Sequence, residues 1–183
     1  SAIGGAGGAI IGCSDIERSR SVYSEVLGYD TVLDDSTGTF PDLAGIPGGE
    51  REVRRLLLTH SRPRTGPFSE LLGSSTIELV QALSGSTRRI YESRFWGDLG
   101  FIHLCYDVRG MNALKDQCAR VGCPFTVDSG ETFDMGEAGG RFGYIEDPDG
   151  TLIEFVETHK VPILRALGIA LDLSRRPPNR ALP

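Results

Sequence analysis

The stretch YIEDPDGTLIEFVE, residues 144–157, decides how the rest of the chain is read. Asp147-Pro148-Asp149-Gly150 spells a tight turn, in which proline presets φ and glycine accepts a positive φ. The turn joins RFGYIE to TLIEFVE, which makes a hairpin of two strands. Side chains alternate along a strand, so Ile153 and Phe155 share one face and Leu152, Glu154 and Val156 the other. An earlier segment, STIELVQ at residues 75–81, repeats the pattern and aligns Glu78 with Glu154. There Ile77 and Leu79 pack, while Thr76, Glu78 and Val80 face away.

Outward from these strands, the beginnings of the two copies also match. GAIIGCSDIERSRSVYSEVLG (8–28) and HLCYDVRGMNALKDQCARVG (103–122) each read as a short apolar strand, then an amphipathic helix ending in glycine. Ser14 and Glu17 are placed as a capping box at the first helix start. Ile16, Val22, Tyr23, Val26 and Leu27 line one face of that helix; Met111, Leu114, Cys118 and Val121 line the second. Gly28 and Gly122 are the expected C-terminal stops. The extra length of the first copy is assigned to a Gly/Pro-rich insertion at about 34–52, a candidate functional loop. The fold class is therefore α+β: two tandem βαβββ units, residues 1–90 and 91–160. A C-terminal helix and tail are expected over 161–183, with VPILRALGIALDL as the helix.

Composition narrows the function classes. The chain has 183 residues, 39% hydrophobic and 24% charged, with a net charge of −6. The acidic balance argues against nucleic acid, whose binding rests on Lys and Arg. The basic stretch Arg51–Arg64 reads as a strand with a solvated face. No apolar run has the length a membrane helix needs, and the Gly-rich start has no basic leader. The missing initiator Met suggests a processed chain or a piece of a longer one. Cys13, Cys105, Cys118 and Cys123 form no CxxC pair, which points to a reducing, cytoplasmic compartment without disulfides. Neither a dinucleotide loop, a P-loop nor a nucleophile elbow is present.

The strand from Phe101 to Val108 directs Ile102, Leu104, Tyr106 and Val108 to the helices and His103, Cys105 and Asp107 to the opposite face. His103, Glu154 and Glu78 thus all fall on the non-helix face of a curved sheet. Carboxylates among apolar strand residues are costly to bury unpaired, and two of them with an imidazole suit a divalent cation. The alternative is that the acids are wetted at strand ends or paired with arginine. His60 is read as a strand-end residue and His159 as a solvated one. Asp134 and Glu137 are loop acids near the cavity, and Trp96 and Phe101 are expected in the core.

The segments SDIERSRSVYSEVLG, GFIHLCYDV and YIEDPDGTLIEFVE resemble the vicinal oxygen chelate superfamily, which includes glyoxalase I, extradiol dioxygenases and bleomycin resistance proteins. The resemblance covers most of residues 8–158. It implies an open, curved mixed-sheet barrel with the helices outside and a metal held by the first and last strands of each unit. Carried over by position, the ligands are residue 8, Glu78, His103 and Glu154. Residue 8 is Gly8, so one ligand is missing; His60, water or a substrate oxygen could complete the shell. The cofactor implied is a divalent metal (Zn, Ni, Mn or Fe). The activity implied is a glyoxalase-like lyase or isomerase acting on a small oxygen-rich substrate through an enediolate, with Glu78 or Glu154 as the catalytic base. The other family activities stay open: metal-free small-ligand binding of the bleomycin-resistance type, or extradiol-type dioxygenase chemistry, which the absent second His disfavours. As partners the resemblance implies a small-molecule substrate, and either a homodimer or further units of a longer chain.

Overall fold

The computed structural model of the chain describes residues 7–66, 68–130, 133–134, 139–164 and 167–173. The backbone divides into two compact units. The first takes the residues up to 63 together with 74–98 and 147–151; the second takes 64–73, 99–146 and 152 onward. The division expected near residue 90 therefore falls near 98, and two short segments group with the other unit.

The first unit begins with β1 (Gly8–Cys13) and α1 (Ile16–Ser21), which runs on as a π-helical turn over Val22–Val26. Asp15 is the N-cap, its carboxylate accepting from the Glu17 and Arg18 amides. The cap is thus one residue later than the expected Ser14, whose own amide donates to Asp149 at 2.9 Å. Ile16, Val22 and Tyr23 are buried, as the apolar face requires, and Gly28 has φ +78° where the helix stops.

Next come β2 (Thr31–Gly38), a 3₁₀ turn (Pro41–Leu43), β3 (Val53–Thr59), α2 (Ser69–Leu72, grouped with the second unit) and β4 (Thr76–Ala82). The sheet order is β1-β4-β3-β2, with β1 parallel to β4 and the other pairs antiparallel. The expected 34–52 insertion is shorter than read, because residues 34–38 belong to β2. Pairing explains this: Asp35 on β2 meets Arg54 on β3 through two hydrogen bonds of 2.9 and 2.8 Å, so acids that resemble loop residues are held in a strand. Val53–Thr59 of the basic stretch is indeed a strand, although its Arg54 and Arg55 are ion-paired.

The second unit contains β5 (Leu104–Asp107), α3 (Met111–Arg120), β6 (Val127–Asp128), β7 (Phe133–Asp134), β8 (Gly139–Glu146), β9 (Leu152–Leu164) and β10 (Ile169–Asp172). β8 and β9 form the expected antiparallel hairpin. β5 runs parallel to the near half of β9, and β10 pairs antiparallel with its far half. The expected C-terminal helix is therefore a hairpin: β9 continues through Val161–Leu164 and returns after Gly168, whose φ is +65°. The apolar run carries Val and Ile residues that suit a strand. Residues 174–183, the expected tail, lie outside the described residues.

The two mixed sheets are separate and neither closes on itself, so the halves are βαβββ-like without a continuous hydrogen-bonded barrel. Each buries one face against its helix. Leu56, Leu58, Ile77 and Leu79 do so in the first unit; Ile145, Ile153 and Phe155 do so with Met111 and Cys118 in the second. Burying each large aliphatic or aromatic side chain stabilises by roughly 1.5–3 kcal/mol. Trp96 (62% exposed) and Phe101 (37%) are not in this core. They sit on the irregular connection between β4 and β5, where no strand or helix presents them to an apolar layer. Among the described residues no helix is long and apolar enough to cross a membrane.

Candidate metal centre

The face of the second sheet away from α3 gathers the unit's chemistry. β5 and β9 are parallel with Cys105 opposite Glu154 and Asp107 opposite Val156. Strand alternation then puts His103, one residue before β5, beside Cys105 and Asp107 on that face. His103 Nε2 lies 3.1 Å from Glu154 Oε2, both side chains mostly buried. The donor atoms of His103, Cys105 and Glu154 all lie within 4.8 Å of one another. Among the described residues this is the one group of three or more such donors.

The surroundings are aromatic. Tyr144, opposite Glu154 on β8, meets the His103 ring edge-on at 5.6 Å. Phe142 continues the row, T-shaped to Tyr144 at 6.2 Å and to Phe133 at 4.9 Å. Cys105 on this face is exposed. The protein around its thiol, and after that the Glu154 carboxylate, push it up to about 12. Burial likewise raises the Asp107 carboxyl, against the opposing effects of the Phe68 amide, 2.8 Å from Oδ2, and the Arg109 charge.

The first unit differs at the matching positions. Glu78 is paired with Arg55, which also holds Asp42 at 2.7 Å and lies over the Phe40 ring at 4.8 Å. The arginine alternative raised from the sequence is therefore the one the first unit displays. Gly8 lies tight against β4: a Cβ there would overlap the Thr76 carbonyl oxygen and sit 2.6 Å from its Oγ1. Position 8 has no room for a ligating side chain on this backbone.

His60 Nε2 is 3.0 Å from the Leu27 carbonyl, and its ring lies 4.0 Å from that of Tyr29. That arrangement ties β3 to the end of the first helix. His159 lies within β9 rather than after it; it is half-buried, with Nε2 3.3 Å from Glu157. The Asp134 backbone belongs to β7, and Glu137 lies outside the described residues. Two features were missed in the sequence: the Arg55–Glu78 pair and the donor role open to Cys105. The second had a signal, since Cys105 follows His103 by two residues on a strand.

These observations define the class: a chain of two βαβββ-like units whose second unit carries a His–Cys–Glu donor group. The family model of the Glyoxalase/Bleomycin resistance protein/Dioxygenase superfamily matches residues 7–155. The chain belongs to that superfamily. Among solved structures it is similar to a glyoxalase family protein from Enterococcus faecalis at 20% identity and TM-score 0.54, covering 82% of this chain and 95% of that one. A glyoxalase family protein from Bacillus cereus is similar at 16% identity and TM-score 0.60, covering 85% and 93%. A glyoxalase I mutant from Zea mays is similar at 16% identity and TM-score 0.54, covering 83% of this chain and 44% of that one. At these identities the likeness is one of fold. No curated protein matches the chain.

Proposed function

We propose that the second unit binds a divalent metal at His103 and Glu154, and that the chain is a metal-dependent lyase or isomerase acting on a small substrate with two neighbouring oxygens. The observation that carries this reading is the approach of His103 Nε2 to Glu154 at 3.1 Å beside the Tyr144 ring. An imidazole and a carboxylate are donors that zinc, nickel, manganese or iron accept, so the residues fit the group. A metal bound there supplies Lewis acidity toward a carbonyl oxygen.

The chain's own residues do the rest. Glu154, within hydrogen-bond reach of His103, holds the proton that leaves the carbon beside that carbonyl. Tyr144, Phe142 and Phe133 wall the face with aromatic rings. Glu78, its charge answered by Arg55, is assigned to the structure of the first unit and not to proton transfer.

A second reading, binding of an apolar or aromatic ligand without chemistry, is favoured by the aromatic row and by the absence of a side chain at Gly8. Plasma mass spectrometry of the reloaded chain separates the two. Near-stoichiometric metal in the wild type, lost in His103→Ala and in Glu154→Gln, is the expected result. A wild type that holds no metal after reloading overturns the enzyme reading and leaves the ligand-binding one.

A further inference from the structure

We propose that Cys105 is a third metal ligand, so that the second unit carries a nitrogen–sulfur–oxygen site with an open position toward solvent. The inference rests on the metal reading above and adds a donor to it.

The geometry comes from the ladder. Cys105 is the β5 residue directly opposite Glu154 in a parallel pair, and His103 is its same-face neighbour one pleat earlier. The two outer donors therefore flank the thiol from different directions. A tetrahedral ion with ordinary zinc bond lengths sets its N, O and S donors roughly 3.3–3.6 Å apart. The His103–Glu154 separation is already 3.1 Å, and all three donor atoms lie within 4.8 Å. The remaining gap is one that side-chain rotation has to close for all three to bind one ion. Cys105 is exposed, and three protein donors on a four-coordinate ion leave one position for a substrate oxygen.

The donor set also discriminates between metals. A thiolate is a soft ligand, and its presence favours zinc, or cobalt as its spectroscopic substitute, over manganese or magnesium, which prefer oxygen. On binding, the Cys105 S–H bond breaks, sulfur keeps the electron pair as the donor to the metal, and the proton passes to solvent. No redox partner is required. The first unit has no counterpart to this thiol, because Ile10 occupies the corresponding rung opposite Glu78.

Thiol labelling provides a direct test. Cys13, Cys118 and Cys123 are buried and Cys105 is exposed, so an aromatic disulfide reagent added to the native full chain reads Cys105 first. Cys105→Ala identifies that fast phase by removing it. Zinc is expected to slow the fast phase about ten-fold or more in the wild type and not in His103→Ala. Cobalt(II) is expected to add a thiolate charge-transfer band in the near ultraviolet that Cys105→Ser lacks. Cys105→Ser should weaken zinc about ten-fold or more and leave manganese nearly unchanged. If zinc binds stoichiometrically while labelling is unaffected and no such band forms, this inference fails and the His103–Glu154 site stands. If no metal binds at all, both fall.

Discussion

Replacing Asp128 tests how far the second unit depends on one buried charge. Arg141, on β8, is 7% exposed. Its guanidinium gives Nε to Asp128 Oδ1 at 3.0 Å and Nη2 to Oδ2 at 2.7 Å, while Nη1 reaches Asn112 of α3 at 2.6 Å. Asp128→Ala removes the two charge-assisted hydrogen bonds from Arg141 and the one from Lys115, and leaves the buried guanidinium without its carboxylate. Such bonds contribute about 1.5–3 kcal/mol each. Asp128 is 21% exposed, so water recovers part of the loss, and about 3 kcal/mol is expected in all. For a chain of this size that lowers Tm by roughly 6–12 °C. Adding Arg141→Met removes the stranded charge and should restore about half of the loss.

The pH dependence has a definite sign. Hydrogen bonds from Arg141, and then from Lys115, hold the Asp128 carboxyl well below its ordinary value of 3.8. The unfolded chain therefore takes up a proton before the folded one does as pH falls. The contribution of Asp128 is complete above 3.8 and disappears as pH drops below it. Thermal and urea melts of the wild type and Asp128→Asn should converge in acid. A cost under about 1 kcal/mol for Asp128→Ala, or a double variant as unstable as the sum of the singles, would refute the buried-charge reasoning.

Two further substitutions probe the first unit. Asp147 is 3% exposed and accepts from the Asp149 and Thr151 amides and the Tyr23 hydroxyl; burial raises its carboxyl above 3.8. The folded state thus holds its proton longer than the unfolded chain, and stability falls as pH rises from 3.8 through the folded value. Asp147→Asn should remove that fall in melts across pH 3–7, and an unchanged slope would count against it. Gly8→His should cost about 1–3 kcal/mol through the clash with Thr76. Thermal melts check this, and an unchanged Tm would show that the β1 backbone adjusts.

Much of the fold is legible because it rests on local rules. Alternation in TLIEFVE and STIELVQ sorts Ile153, Phe155, Ile77 and Leu79 into the core, where they are 2% exposed or less. The turn at Asp147–Gly150 closes through the Gly150 amide on the Asp147 carbonyl at 3.0 Å. What was not legible depends on register between distant segments. Arg55 and Glu78 are 23 positions apart. Only the pairing of Arg55 with Val80 and of Leu57 with Glu78 brings that guanidinium diagonally onto the carboxylate. The C-terminal hairpin was hidden for a similar reason. An apolar run such as VPILRALGIALDL fits helix or strand until a partner is known, and its partner is itself, folded back at Gly168.

Register also explains why the duplicated units diverge in chemistry. Gly8, Ile10 and Gly12 on β1 face Thr76, Glu78 and Val80. Cys105 and Asp107 on β5 face Glu154 and Val156, with His103 one pleat earlier. The repeat thus sets Gly8 against His103, Ile10 against Cys105 and Gly12 against Asp107. Every position of the first strand that carries a donor side chain in the second unit carries none in the first. On the other flank, Arg55 is paired with Val80 and Phe142 with Val156, so the residue diagonal to the glutamate is a cation in one unit and an aromatic ring in the other. A carboxylate left among apolar strand residues needs a counter-charge. The first unit supplies it from within as Arg55. The second unit offers Glu154 an imidazole and a thiol instead, and in the proposed reading the counter-charge is a metal ion. On this reasoning Arg55→Met should leave metal content unchanged, whereas Phe142→Arg, which places a guanidinium diagonal to Glu154, should displace the ion without removing any of its ligands. Metal retained at wild-type affinity in Phe142→Arg would break the link between counter-charge and site.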